Sequence, residues 1–505
     1  MKKALKFIFV AALVVLMLAT VVACGGDNGG TTATPTPNAG GSTSALKANF
    51  TKPGEEYSFW SYQFKSENPY SGNTEREQQM NDRVLRLEET YDIDISFYVA
   101  AATSGSELLR QSAFQGMPEV TGMKENGLYS MMDTYLYNNN PGACIEPLSD
   151  HEDVYDFKND EKFNVYSQYD LCEYQKKLWF FIPDEIGIDF EVGGNCLLFN
   201  KKMVQAAGYQ AEDIYAWVDA GTWNWEKFEE VLVACNNPER AQFAIERGNS
   251  GLFMWSLANG NNTEFVECVE LPNGQKQDSF VYQGDKGERL MEAYDEFLKL
   301  ANTLGVMEKT YYAAGSTDPA DHFMNGEVAW YYTGFSSNCF YKQIETMEED
   351  YGIVPWPKGS SVSETDPYHS MYPHLNPYCV FRNKAADANI KGAVQILCEL
   401  FTPIYDKNSE DAIALYQTEI SQYSRDAQSE KNLDMIEKSK IHFRVFMYNN
   451  APCIVGDLSK LEQVLFGKGE DAILAQEKDA KTYFESIADT INNSITKRSP
   501  YTWKE

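Results

Sequence analysis

The sequence lacks most of the patterns by which enzymes and metal proteins are recognised. Its 505 residues include only five histidines and ten cysteines, and no two cysteines form a Cys-x-x-Cys pair. Their spacing matches no zinc signature, and no nucleophile elbow, phosphate-binding loop or zinc-protease helix motif occurs. Carboxylate pairs such as Asp184–Glu185 arise by chance among 74 acidic residues, so they do not by themselves indicate a glycosidase. We therefore expect no metal, no cofactor and no catalysis.

Basic residues are also scarce. The chain has 43 Lys and Arg against 74 Asp and Glu, which gives a net charge of −31. Such a surface repels nucleic acid and anionic ligands, and no basic patch is visible that would override the repulsion. Beyond residue 22, no apolar run approaches the roughly eighteen residues of a membrane span. The hydrophobic content of 43% is that of a globular chain, and the length suggests two or three domains.

The N-terminus has the layout of an export signal. Three lysines, Lys2, Lys3 and Lys6, precede an apolar segment at 7–22 that contains no charge. The segment ends in Val-Val-Ala-Cys24, which resembles the bacterial lipobox, where cleavage precedes a cysteine that carries a diacylglyceryl group. An ordinary signal that happens to contain a cysteine, and an uncleaved anchor, are the alternatives. We expect 1–23 to be a lipoprotein signal peptide and 24–46 to be the lipidated Cys24 with a flexible tether.

Hydrophobic periodicity predicts alternating strands and helices after the tether. Residues 56–64 read as a strand, 74–77 form a capping box that starts a helix, and 92–99 alternate apolar and polar residues as a second strand. This succession predicts a βαβ unit with parallel pairing. Helical spacing also occurs from Trp225 to Cys235 and again before Gly305, a residue suited to end a helix.

Aromatic residues are abundant, at 13% of the chain, with 31 tyrosines and nine tryptophans. Several lie in polar, turn-prone stretches, namely "FWSYQF", "FMWSLANG", "AWYYTGF" and "DPYHSMYPH". Flat aromatic faces beside amides and carboxylates suit sugars, because C–H faces stack on rings while the polar groups bind hydroxyls. Ordinary core packing remains the alternative for each cluster. Together the clusters favour a ligand site lined by aromatic side chains.

Six segments occur in the order typical of one known family. They are "QGMPEV", "KKLWFFIP", "CLLFNKKMVQAAGY", "AGTWNWEKFEE", "FMNGEVAW" and "YGIVPWPKG". Behind a lipobox, and over nearly the whole mature chain, they make it resemble the carbohydrate-type extracellular solute-binding proteins of ATP-binding-cassette importers. Two positions depart from the family pattern: Glu119 replaces the usual Asp, and Asn224 stands where Thr is common.

The resemblance implies an α/β, two-lobe, periplasmic-binding-protein-like fold of type II, with hinge segments and several chain crossings between lobes. It implies crossings near 183–195, near 315 and near 376. Lobe 1 would then comprise 47–190 and 316–375, and lobe 2 would comprise 191–315 and 376–505 with the C-terminal helices.

The resemblance also assigns ligand-binding residues to loops that face the cleft in the family. Tyr368 and Tyr372 are added from the composition of their loop, whereas Trp223 and Trp225, at a helix start, are expected in the core. Ser336 stands where sugar binders often have Trp, which removes one stacking platform. The residues that the resemblance assigns are Trp60, Tyr62, Gln63, Lys124, Glu125, Asn126, Asp189, Glu191, Trp255, Gly334 and Phe335.

The function implied is capture of a neutral mono- or oligosaccharide between the lobes. The protein would be a monomer, lipid-anchored on the outer face of the bacterial cell membrane, that delivers sugar to the membrane permease subunits of an importer. It would bind no nucleic acid. A binder of a peptide, a polyamine or another solute on the same fold, and a surface sugar-processing enzyme, are the alternatives.

Overall fold

A computed structural model describes most of the chain after the tether. The described residues are 49–50, 53–61, 75–99, 120–124, 146–157, 173–174, 177–179, 194–237, 243–246, 250–270, 272, 276–308, 318–334, 344, 346–372, 378–380, 390–402, 405, 408–442, 480–482, 484–486 and 488–489.

Strands and helices alternate over much of the described chain. The strands are β1 Glu55–Ser61, β2 Ile93–Val99, β3 Val120–Lys124, β4 Glu173–Tyr174, β5 Lys177–Leu178, β6 Asn195–Asn200, β7 Phe243–Ile245, β8 Val266–Glu270, β9 Lys276–Phe280, β10 Val328–Gly334, β11 Tyr351–Val354, β12 Ser370–Tyr372, β13 Tyr378–Val380 and β14 Lys440–His442. The helices are α1 Glu75–Tyr91, α2 Lys201–Ala206, α3 Ala211–Asp219, α4 Trp225–Cys235, α5 Ser250–Gly260, α6 Gly284–Leu298, α7 Asp318–Met324, α8 Ile390–Leu400, α9 Glu410–Tyr423 and α10 Ala427–Lys438.

The first sheet has the strand order β13-β3-β1-β2. Strands β1 and β2 pair in parallel and are connected through α1, which confirms the predicted βαβ unit. Strand β3 also runs parallel to β1, whereas β13 runs antiparallel to β3. Helix α8 packs on α1 and β13, and the Arg83 guanidinium donates to the Leu400 carbonyl at 3.0 Å. These elements make up lobe 1.

The second sheet has the strand order β11-β6-β10-β7. Both neighbours of β6 run antiparallel to it, and β7 runs parallel to β10. All six residues of β6 are buried because helices cover both faces. Leu197 and Phe199 enter a core with α2 to α6, whereas Cys196 and Leu198 enter a core with α7, α9 and α10. These elements make up lobe 2.

Stacked indoles occupy the centre of the larger core of lobe 2. Trp223 is fully buried between Trp217 and Trp330, with ring centroids 6.3 and 5.8 Å away and nearly parallel planes. Its indole N–H donates to the Pro355 carbonyl at 2.9 Å. Trp225, at the first position of α4, is 6% exposed and belongs to the same core. The prediction that Trp223 and Trp225 are core residues is therefore confirmed.

Strand pairing shows where the chain changes sheets. It leaves lobe 1 after Trp179 and enters lobe 2 at β6. It returns between β12, which packs on β6, and β13. It leaves again after Tyr405, whose hydroxyl accepts from Gln79 of α1, because α9 and α10 pack on lobe 2.

These pairings correct the predicted lobe boundaries. The prediction that 316–375 belongs to lobe 1 is wrong, because β10 and β11 in that range flank β6 of lobe 2. The assignment of all of 376–505 to lobe 2 is wrong as well, because β13 and α8 belong to lobe 1. The crossing near 315 is not a change of sheet, since Met307 bridges to β7 before it and α7 packs on β10 after it. Strand partners are non-local, and the hydrophobic pattern of one strand does not encode them.

Four cysteines behave as apolar core residues. Cys196, Cys235, Cys379 and Cys398 are free thiols and are buried. Burial raises the pKa of the Cys235 thiol to about 12, so it is protonated at neutral pH.

Among the described helices, none combines the length and apolar character needed to cross a membrane.

Replacing Trp223 by Ala is expected to destabilise the protein by ~3–5 kcal/mol, because it removes the middle ring of the stack and leaves a cavity. Chemical denaturation would measure the change. The control is Leu85→Ala on α1, where the side chain is 55% exposed and the expected change is within about 0.5 kcal/mol. Equal stability of the Trp223→Ala variant and the native protein would contradict this account of the core.

Candidate ligand-binding site

The carboxyl ends of three parallel strands meet at one edge of the first sheet. Trp60 of β1 is paired with Tyr98 of β2 on one side and with Met123 of β3 on the other. Lys124, the next residue of β3, ends that strand. In open α/β sheets, ligands bind outside the carboxyl ends of strands. The backbone therefore brings two segments with predicted ligand residues, those at Trp60 and Lys124, to the same edge.

The second crossing, which returns the chain to lobe 1, reaches this same edge. Strand β13 begins at Tyr378, which is paired with Lys124. Tyr378 is 1% exposed and packs against Phe401, with ring centroids 4.3 Å apart. Only 373–377 separate it from β12 of lobe 2, so the connecting segment ends beside the edge that contains Trp60 and Lys124.

A buried polar cluster joins four separate parts of the chain where lobe 2 begins. The Gly194 backbone N–H donates to the Glu437 carboxylate of α10 at 2.8 Å. The Ser370 hydroxyl, just before the second crossing, donates to the Asn195 carbonyl, and the Asn195 amide donates to the Ser256 hydroxyl of α5. Gly194 and these four side chains are referred to below as the junction cluster.

Gly194 is required at the junction cluster by space. A Cβ atom there would overlap Cγ2 of Ile436 and would crowd the Glu437 carboxylate and the Ser370 hydroxyl. The tight packing keeps water away from the buried Gly194 N–H, so this N–H depends on Glu437 as its acceptor.

Two of the predicted ligand positions lie near the junction cluster. Gly334, at the end of β10, is paired with Asn195. Trp255 is adjacent to Ser256 on α5, is 5% exposed, and contacts the Phe265 ring edge-to-face at 5.8 Å. Trp60 and Trp255 thus belong to different lobes, as two opposite walls of a cleft would require. Their contact with a ligand stays a prediction.

Tyr368 and Tyr372 lie on the segment that leads to the second crossing. Tyr368 is 5% exposed, and the Lys358 ammonium group lies 4.5 Å from its ring centroid. Burial raises the pKa of the Tyr368 phenol well above its usual value, so it is neutral. The backbone of Tyr372 ends β12 and is paired with His442 of β14. Their role in ligand binding also stays a prediction.

A buried carboxylate pairs with a histidine beyond the end of β7. Glu246 is fully buried, and its Oε1 lies 2.8 Å from Nδ1 of His322 on α7. A buried carboxylate needs such a partner, because moving an unpaired ion out of water costs on the order of several kcal/mol. Within the described residues, no cluster of three or more His, Cys, Asp or Glu side chains could hold a metal ion.

Several predicted residues lie outside the described residues. They are Cys24, Tyr62, Gln63, Glu125, Asn126, Asp189, Glu191 and Phe335.

Sequence reasoning missed the junction cluster. Asn195, Ser256, Ser370 and Glu437 are small or common polar residues, and no local motif connects them. The one available signal was the position of Asn195 at the end of a predicted crossing and immediately before an apolar strand. A polar residue at such a place needs a buried partner, but the sequence does not reveal which residue supplies it.

Comparison with known proteins identifies solved structures that share this architecture. No protein-family model matches the sequence, and no curated protein matches it either. Among solved structures, the GacH receptor of Streptomyces glaucescens, determined unliganded and with acarbose, covers 88% of this chain and 99% of its own, at 11% identity and a TM-score of 0.54. An ABC substrate-binding protein from Listeria monocytogenes, in complex with cycloalternan, covers 88% and 100%, at 12% identity and a TM-score of 0.52.

A third neighbour is the ABC transporter-associated binding protein from B. animalis subsp. lactis, in complex with β-1,6-galactobiose. It covers 87% of this chain and 98% of its own, at 12% identity and a TM-score of 0.51. This chain has the fold of these solute-binding proteins. The α/β, type II fold implied by the six segments is thus confirmed over nearly the whole mature chain, although identity is low.

Replacing Glu437 by Ala is expected to destabilise the solute-binding fold by ~1–3 kcal/mol, since the buried Gly194 N–H loses its acceptor. Glu437→Gln should lose less, because an amide oxygen can still accept. Thermal and chemical unfolding would measure both variants beside Glu430→Ala, an exposed carboxylate on the same helix. If Glu437→Ala and Glu430→Ala were equally stable, the junction cluster would have no structural importance.

Proposed function

We propose that the protein captures a neutral mono- or oligosaccharide between its two lobes and delivers it to the permease subunits of an ATP-binding-cassette importer. It acts as a binding protein and not as an enzyme. It works as a monomer outside the cell, held on the outer face of the membrane by lipid on Cys24.

The observation that carries this proposal is the meeting of Trp60 and Lys124 in adjacent strands at the carboxyl edge of the first sheet. That edge is where open α/β sheets bind ligands, and an aromatic residue there suits the C–H face of a sugar. The net charge of −31 favours an uncharged ligand over an anion. The three structural neighbours named above were solved with oligosaccharides or with acarbose, which agrees with this ligand class.

Closure of the lobes around the ligand follows from the crossings. Within the part of the chain that the structure describes, three connections join the lobes, and two of them end at the junction cluster or at the edge that contains Trp60. A ligand that contacts both lobes stabilises the closed arrangement, which presents a surface that a transporter can distinguish from the open one.

Isothermal calorimetry over neutral oligosaccharides, peptides and polyamines is expected to show binding of a neutral sugar and of neither other class. Acarbose, cycloalternan and β-1,6-galactobiose belong in the panel because structural neighbours were solved with them. Tight binding of a peptide or polyamine would replace the proposed ligand class. Conversion of a bound sugar to product would replace the proposal by an enzyme.

Trp60→Ala is expected to weaken sugar binding about tenfold or more, because one stacked ring contributes ~1–3 kcal/mol. Trp60→Phe keeps a smaller ring and should lose less. Tyr209→Ala is the matched control, since Tyr209 is a partly exposed aromatic residue of lobe 2 whose hydroxyl contacts Glu230. Equal affinity of Trp60→Ala and the native protein would remove Trp60 from the site.

Cys24→Ala is expected to abolish lipid attachment, so the protein no longer partitions into the detergent phase. Metabolic labelling with a fatty acid and detergent-phase partitioning of the expressed full chain would measure this. A Cys24→Ala protein that is still cleaved, labelled and partitioned like the native one would show that the lipobox interpretation is wrong.

A further inference from the structure

Two acidic side chains meet between α4 and the end of α6. Glu229 lies in α4, and Glu296 lies in the last turn of α6. Glu296 is 6% exposed, and the side chain of Glu229 is 18% exposed. The two side chains are hydrogen-bonded to each other. An ionised carboxylate can only accept, so this bond requires a proton on one of the two carboxyl groups.

One cation lies beside both carboxyl groups. Helix α6 continues as a single π-helical turn that begins at Lys299. The Lys299 ammonium group forms an ion pair with Oε1 of Glu229 and lies 3.9 Å from Oε2 of Glu296. Among the residues that the structure describes, no N–H or hydroxyl group donates to Oε1 of Glu296. One positive charge therefore faces two carboxyl groups, and its closer contact is with Glu229.

The other charged groups that line the space between α4 and α6 do not compensate Glu296. Glu226 and Asp295 are acidic as well. Glu292 accepts from the Asn261 amide at 2.8 Å, and the Lys358 ammonium group donates to two backbone carbonyl oxygens. Within the described part of the chain, Lys299 is the one charge that favours the ionised form of Glu296.

Burial and the neighbouring carboxyl group together keep Glu296 protonated. Burial first, and then the charge and the hydrogen bond of Glu229, raise the pKa of Glu296 from its ordinary value of 4.5 to about 8, although Lys299 acts in the opposite direction. Two carboxyl groups in contact share one proton because both cannot ionise without repulsion. Since Glu229 is paired with Lys299, Glu296 is the group that donates.

The pair lies beside the larger core of lobe 2. Phe228 precedes Glu229, Phe297 follows Glu296, and both rings are fully buried in that core. Just beyond α4, the Asn236 amide donates to the Gly305 carbonyl beyond the π-helical turn at 3.2 Å. Repulsion between two ionised carboxylates would therefore act next to residues that hold both helices in place.

We propose that Glu229 and Glu296 share one proton at neutral pH, and that loss of this proton in alkaline solution destabilises lobe 2. The pair is a pH-sensitive contact between α4 and α6. It lies on residues different from those of the proposed sugar site, so either proposal can fail without the other.

The direction of the pH dependence follows from proton linkage. Between pH 4.5 and 8, the folded protein retains a proton on Glu296 that the unfolded chain has lost. Glu296 therefore costs the folded protein no stability below this range, a growing amount as the pH rises through it, and no more above it. Within the range, each pH unit raises the unfolding constant by up to about tenfold relative to a chain without this titration.

Glu296→Gln tests this dependence, because its amide N–H can donate to Glu229 at every pH. Urea unfolding of the native protein and the variant would be measured across this range of pH. The two are expected to be similarly stable at the acidic end, and the variant to be more stable at the alkaline end. Glu288→Gln, which changes an exposed carboxylate of the same helix, is the control and should keep the native pH profile.

Carbon-13 NMR of the protein labelled in its glutamate side chains measures the proton directly. The carboxyl resonance that is missing from Glu296→Gln is expected to titrate with a midpoint near pH 8. The midpoint should fall in Glu229→Gln, because an amide replaces the neighbouring carboxylate and releases Lys299 to pair with Glu296. A purely structural role for Glu296 would not change this midpoint.

Parallel pH profiles of the native protein and Glu296→Gln would overturn the proposal, and so would a Glu296 midpoint near the ordinary value of 4.5. If Glu296→Gln did not fold, the native and Glu229→Gln pH profiles would decide. The loss of stability should end at a lower pH in Glu229→Gln, and identical profiles would overturn the shared proton.

Discussion

Strand β6 is hydrogen-bonded on both edges, to β10 and to β11, and lobe 2 depends on this double pairing. Its side chains alternate between two helix-covered faces, so one short strand supplies residues to both cores. The polar residues are placed at its ends. Asn200 caps α2 by accepting from the Met203 N–H at 3.1 Å, and Asn195 joins the junction cluster. The two ends of the strand thus fix where the first helix of lobe 2 begins and where the chain enters lobe 2 from lobe 1.

The junction cluster connects the start of lobe 2 to other buried parts of that lobe. Gly194, Ser370 and Glu437 are far apart in the chain, yet each lies next to a connection between the lobes or to the elements packed after one. Because these groups are buried and hydrogen-bonded, the cluster fixes the start of β6 against α5, α10 and the segment before the second crossing.

Trp223 and Trp225 are separated by one residue, yet their indole groups differ in hydrogen bonding. The Trp223 N–H is bonded to the Pro355 carbonyl and its ring is stacked on both faces, so it is entirely structural. Trp225 contributes its ring to the same core, but its N–H has no hydrogen-bond partner within the described residues. Asn224 between them caps α4 by accepting from the Lys227 N–H at 3.0 Å. Burial alone therefore does not determine whether an indole N–H is hydrogen-bonded.

The sequence by itself determined the elements whose signals are local. The βαβ unit from β1 to β2 and the helix from Trp225 to Cys235 follow from periodicity and capping, which act within a few residues. The two-lobe fold followed from the ordered family segments. Only the tertiary structure decided that β10 and β11 flank β6, that β13 joins β3, and that Glu437 serves Gly194. Such partners lie far apart in the sequence, and Gly194 and Glu437 are separated by 243 residues. A strand or a carboxylate is compatible with many partners until packing in three dimensions selects one.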